Sequence, residues 1–181
     1  MKNNNSVREM VISSLCITMG LILPVIFHSF GLGSTFLPMH IPVLLSGFIL
    51  PMPYAVAVGA ITPLLSSIIT GMPPMFPIMP YMVFELAAYA AVASILSRKM
   101  RLNPYPSLVG SMIVGRIVAG VVVWVLIELF GAKLPNPFVF IGSAITTGIP
   151  GMIIQLVAIP PMVVILKKTN IIGNEVLKIE Q

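Results

Sequence analysis

Residues 10–84 read MVISSLCITMGLILPVIFHSFGLGSTFLPMHIPVLLSGFILPMPYAVAVGAITPLLSSIITGMPPMFPIMPYMVF, 75 positions without a single Lys, Arg, Asp or Glu. A bilayer is crossed by about 20 apolar residues, so this stretch is several times longer than one crossing requires. The rest of the chain agrees with it. Of 181 residues 57% are hydrophobic and 8% charged, with a mean hydropathy of +1.06, whereas soluble domains carry about 25% charged residues. Too little polar surface remains to cover a globule in water. The composition predicts an all-α membrane protein, a polytopic helical bundle. Its length caps the bundle at about six spans, which leaves no room for a soluble catalytic or ATP-binding domain.

Six apolar runs can be placed: Met10 to about Phe27, Met39 to Leu50, Tyr54 to Thr70, Tyr81 to Leu96, Leu108 to Phe130, and a last one after Pro137 that ends at Leu166. The first run lacks a small-x-small exit site and is expected to stay as a span. The second is anomalous, because twelve residues make only about 18 Å of helix. Part of the segment Phe36 to Pro42 must then enter the membrane as irregular or broken helix. Such backbone is tolerated only where protein or a water-filled cavity satisfies it, which places His40 near a cavity wall. The connection Gly71 to Pro80 holds four prolines in ten residues and cannot be helical throughout.

Six spans put both termini on one side of the membrane. That side holds Lys2, Arg8, Arg98, Lys99, Arg101, Lys167, Lys168 and Lys178, and the other only Lys133. The excess of basic residues predicts that both termini are cytoplasmic, and clusters flanking apolar runs give no reason to expect nucleic acid as a partner. The three longer Gly/Pro-shaped loops then face outward, and a pocket opening outward follows. The chain reads as one integral membrane domain, 1–181. Its first three spans are charge-free and its last three carry Glu85, Arg116, Glu128 and Gln155.

Arg116 is the strongest single signal. It lies at mid-depth in its span, where an arginine costs at least about 2.5 kcal/mol and should face the bundle interior with a partner. Gly110, Gly115 and Gly120 would let another helix approach there. Stepping by four from Arg116 gives Gly120, Trp124 and Glu128. The arginine serves either a ligand or a structural ion pair with Glu85 or Glu128. Glu85 has Tyr89 one turn below it; it either meets a ligand group or reaches to the outer interface. Gln155 follows the softened stretch Gly148-Ile-Pro-Gly151 and can bond a ligand or bridge helices. Asn136, between two prolines, either reaches a ligand or shapes a turn. His28 and His40 without a third ligand make a poor metal site, and Cys16 is the one cysteine. No metal and no cofactor is expected.

The chain has no aspartate, no phosphate-binding loop and no hydrolase or zinc-protease motif. It therefore cannot use ATP by itself in the usual way. An enzyme acting on a lipid or quinone would have to rest on Glu85 and His40 alone.

The segments Phe36-Leu-Pro-Met-His-Ile-Pro-Val-Leu-Leu-Ser-Gly47, Thr62-Pro-Leu-Leu-Ser-Ser67, Thr70-Gly-Met-Pro-Pro74, Gly115-Arg116 and Gly148-Ile-Pro-Gly151, together with the six-span layout, resemble the substrate-binding S component of energy-coupling factor (ECF) vitamin transporters. The resemblance covers nearly the whole chain. It implies a subunit that captures a vitamin or vitamin precursor between the last three spans and the outward loops. It further implies docking on a transmembrane T subunit driven by two ATPases, in the bacterial cytoplasmic membrane. Residues 1–80 would be the scaffold and docking half, and 81–181 the ligand-binding half. Where the family has an Ala-x-x-x-Ala docking motif on the first span, this chain has Ser14 and Thr18. The sequence is most similar to S components proposed for α-ribazole or a related benzimidazole, with pantothenate carriers next. Arg116 suits an anion or carbonyl, while Trp124, Phe84 and Tyr89 suit a planar heterocycle. The expected ligand site is Arg116, Glu85, Tyr89, Trp124, His40, Asn136 and Gln155. A solitary carrier that needs no ATP is the remaining alternative.

Overall fold

The computed structural model describes residues 2–31 and 33–168; Lys178, used above for orientation, lies outside them. The described residues contain helices and no strand: α1 (Lys2–Ser29), α2 (Gly33–Phe36), α3 (His40–Ile49), α4 (Met52–Thr70), α5 (Ile78–Ser94), α6 (Pro104–Phe130) and α7 (Pro137–Lys168). A π-helical stretch, Ile95–Lys99, continues α5. Five of these helices are long and apolar enough to cross a membrane, and α3, at ten residues, is not.

Helix ends depart from the apolar runs in one consistent way. α1 starts at Lys2 rather than Met10, because hydropathy marks where lipid begins and not where hydrogen bonding does. α5 and α6 start at Ile78 and Pro104, three and four residues earlier than the apolar runs. Pro80 and Pro106 thereby fall in first turns, where a missing N–H costs nothing. Glycine closes the opposite ends. Gly71 and Gly131 adopt left-handed φ of 72° and 61°, and the Gly131 and Ala132 amides donate to the carbonyls of Ile127 and Leu126, a Schellman termination.

The second apolar run is broken as its length requires. α2 ends at Phe36, Leu37 turns the chain at φ 50°, and α3 begins at His40. The ten residues of α3 cover about 15 Å, so this element crosses only part of the bundle. Gly151, midway along α7, makes room for the break: a Cβ there would sit 2.7 Å from the Phe36 carbonyl oxygen. α3 itself is a buried plug, with Val43, Leu44, Leu45, Phe48 and Leu50 all inside. Its C-terminal end is tied to α5, where Arg98 Nη1 donates to the Ile49 carbonyl (2.9 Å) and Ser94 Oγ to that of Leu50 (3.3 Å).

α4 and α5 cross without intervening side chains. A Cβ on Gly59 would lie 2.5 Å from the Leu86 carbonyl oxygen, and one on Gly47 of α3 would lie 2.7 Å from that of Ala90. At the same end as the Arg98 contact, Ser6 Oγ and Tyr54 Oη are 2.9 Å apart and join α1 to α4. That end gathers Arg8, Arg98, Lys99 and Arg101, together with the end of α7. The other end gathers the termini Ser29 and Thr70 and the starts of α5 and α7.

Candidate functional site

A cavity of about 580 Å³ opens at the end of the bundle away from Arg98. This falls within the ~300–1,000 Å³ range of small-molecule sites. Helix α1 contributes Pro24 and His28, the break before α3 contributes Leu37 to His40, and the loop after α4 contributes Gly71 to Pro74. The remaining wall is Ile78, Tyr81, Met82 and Glu85 of α5, Arg116 of α6, and Phe140, Ser143, Ala144 and Thr147 of α7. Both parts of the chain thus line it, because the broken α2–α3 element brings residues before 80 inward beside α5.

The floor is polar and the walls are mostly apolar. Arg116 Nη1 lies 2.7 Å from Glu85 Oε1, with the two side chains 10% and 2% exposed. Tyr89 Oη donates to the same carboxylate oxygen at 3.1 Å. His40 Nε2 stands 4.0 Å from it, too far for a hydrogen bond, and its ring meets that of Tyr89 edge-on at 5.4 Å. Two glycines allow this closeness. Tyr89 fills the notch at Gly115, where a Cβ would come within 2.7 Å of its ring, and Arg116 Nη2 lies 3.5 Å from the Cβ position of Gly148. Both ring nitrogens of His40, Arg116 Nε and Gln155 Nε2 are buried without a hydrogen-bond partner. Buried polar atoms usually have one. Near the mouth, Tyr81 and Phe140 pack edge to face at 4.9 Å.

Of the residues singled out by sequence, Arg116, Glu85, Tyr89 and His40 come together. Gln155 is buried on the inward face of α7 but does not line the cavity. Asn136 is exposed, and its Oδ1 accepts from the Phe138 amide at 3.1 Å, so it shapes the start of α7. Trp124 is 56% exposed and away from the cluster, as is Phe84. The displacement of Trp124 is a matter of helical phase. Eight residues turn an α-helix about 80° past two full steps, and the buried stripe of α6 instead runs Arg116, Ala119, Gly120, Val123. Glu128 drifts further and is exposed. Sequence reasoning missed Tyr81, Phe140, Ser143 and Thr147 as lining residues. The available signal was their place in the first two or three turns of helices that begin at the cavity mouth. No group of three or more His, Cys, Asp or Glu able to hold a metal occurs among the described residues.

The model of the family described as "ECF transporter, substrate-specific component" matches residues 8–163, most of the chain. No curated protein and no solved structure matches it. S components bind small molecules, work with a T subunit and ATPases, and are transporter subunits rather than enzymes. A one-ended cavity with a polar floor, set among apolar helices, agrees with that class, and the chain belongs to the substrate-specific components of ECF transporters: it is a multi-pass, substrate-binding membrane subunit of an importer.

Proposed function

We propose that the 580 Å³ cavity is the substrate pocket and that it takes a planar heterocyclic vitamin precursor, α-ribazole or a related benzimidazole. The observation that carries this reading is the pairing of an edge-to-face Tyr81–Phe140 wall with a floor of Arg116, Glu85 and His40. A flat ring finds apolar and aromatic faces above, and its polar substituents find donors and acceptors below. The stacking role first given to Trp124 passes to Tyr81 and Phe140. Pantothenate remains the second reading, which would need its carboxylate to take the place of Glu85 beside Arg116. Native mass spectrometry of gently purified protein tests the assignment: a retained benzimidazole nucleoside is the expected result, and retained pantothenate would transfer the pocket to the second reading.

In this proposal the chain crosses the membrane six times, with the broken α2–α3 element as the incomplete crossing. Both termini are cytoplasmic, and the cavity faces outward from the bacterial cytoplasmic membrane. The concentration of Arg8, Arg98, Lys99 and Arg101 at the end opposite the cavity mouth supports this orientation. The chain docks through α1 on a T subunit energised by two ATPases. Ser14 and Thr18 support that face. Both are exposed, and their hydroxyls donate to the carbonyls of Met10 and Ser14 at 2.9 Å, so neither asks for a polar partner across the interface. Ser14→Trp should abolish ATP-driven uptake in proteoliposomes while ligand binding to the isolated subunit is unchanged. Uptake that survives bulky residues at both Ser14 and Thr18 would move docking to another face.

A further inference from the structure

The charged side chains lining the cavity are Glu85 and Arg116, and they are spent on each other at 2.7 Å. We propose that Glu85 sets the charge selectivity of the pocket: by neutralising Arg116 it makes the site one for an uncharged ligand and against carboxylates and phosphate esters. The inference rests on the cavity being the substrate pocket and deepens that reading. A buried arginine alone would recruit an anion, since its fork matches carboxylate and phosphate oxygens. Here Arg116 Nη1 already meets the Glu85 carboxylate at Oε1, the same oxygen to which the Tyr89 hydroxyl donates. An incoming anion would have to displace Glu85 and leave it buried without a counter-ion, or else bring a second negative charge beside it in a region with little water to screen the repulsion.

The other ionisable groups do not change that balance. From α1 there is His28, from the break before α3 His40, and from α5 Tyr81, with Tyr89 buried behind the lining against Glu85; α7 and the Gly71–Pro74 loop contribute none to the lining. The charges of Glu85 and Arg116 cancel each other across their 2.7 Å contact. Both nitrogens of His40 lack a hydrogen-bond partner although its side chain lines the cavity. A small rotation of that ring offers one donor and one acceptor, which an uncharged hydroxyl, carbonyl or ring nitrogen can satisfy.

The test uses matched pairs that differ in charge and little else: α-ribazole against its 5′-phosphate, and pantothenyl alcohol against pantothenate. Binding of both members of each pair to the intact purified subunit is measured in one buffer. In whichever pair binds, the uncharged member should bind at least about tenfold tighter. An anion that binds equally or more tightly overturns the inference and leaves the pocket assignment standing. A silent α-ribazole pair with pantothenyl alcohol preferred over pantothenate overturns the ligand reading and leaves the inference standing. Silence in both pairs overturns both. Glu85→Gln should raise the anion relative to its neutral partner by about tenfold or more, because it frees the guanidinium. The double variant Glu85→Gln, Arg116→Gln, neutral again, should show no such reversal. If the single variant does not fold, the comparison on the unaltered protein still decides.

Discussion

Arg116→Ala is expected to lower the stability of the subunit by about 3–5 kcal/mol, the usual consequence of stranding one member of a buried ion pair. The loss comes less from the missing attraction than from Glu85, which is 2% exposed and would keep only the Tyr89 hydroxyl as a bonded partner within the cluster. Arg116→Lys should recover part of it, since an ammonium on a shorter, unforked stem matches the 2.7 Å contact poorly. The double variant Arg116→Met, Glu85→Gln should be more stable than Arg116→Ala, because no charge is then left alone. Thermal unfolding of the detergent-solubilised protein, run as a double-mutant cycle, measures all of these. A midpoint for Arg116→Ala equal to that of the unaltered protein would show that the pair contributes nothing to the fold. In the proposed pocket ligand binding should fall with it, by about 2 kcal/mol or more, because Glu85 loses the charge-assisted bond that positions it.

Gly59→Ala should destabilise the bundle by about 1–3 kcal/mol, the range for an extra methyl forced into a packed interior, and Gly59→Val by more. The obstacle is backbone: the Leu86 carbonyl at 2.5 Å and the Ala87 amide nitrogen and Cα at 2.8 Å. No rotamer change relieves it, so α4 and α5 must separate. That separation would reach the floor directly, because Glu85 precedes Leu86. Gly142→Ala is the matched control, since nothing lies within 4 Å of its Cβ position and alanine is the better helix former by up to about 1 kcal/mol. Unfolding temperatures that are equal for the two alanine variants would contradict so close a crossing.

The bundle was legible because lipid solubility leaves a coarse, one-dimensional trace. A 75-residue charge-free run admits few other folds, and the shortfall of the second apolar run announced a broken element with His40 beside a cavity. Pairing was partly legible for the same energetic reason: an arginine at depth must have a partner, and Glu85 was one of two carboxylates in reach. Phase was not. Glu128 and Trp124 looked equivalent to Gly120 when counted in fours, yet the buried face of α6 follows steps of three and four together. Helix starts were also hidden, because Pro80 reads as part of a proline-broken connection although it sits in the first turn of α5. The lining residues Ser143 and Thr147 have no distinguishing residue chemistry, and only their place in the first turns of α7 sets them at the cavity.

The shortness of α3 has an electrical meaning. In the orientation proposed above, the cavity reaches down to His40, and a solvent-filled mouth would carry the outside potential to that depth. Below it lies the plug of Val43, Leu44, Leu45, Phe48 and Leu50, all 6% exposed or less and about 15 Å long. A membrane voltage that would otherwise fall across ~30 Å of hydrocarbon would then be compressed into roughly half that thickness. Each 100 mV exerts about 2.3 kcal/mol of work on an elementary charge that crosses it. The plug would act as an insulator under a doubled field, which its uncharged residues are suited to hold. An uncharged cargo, as proposed for this pocket, would pass the same septum with no electrical work.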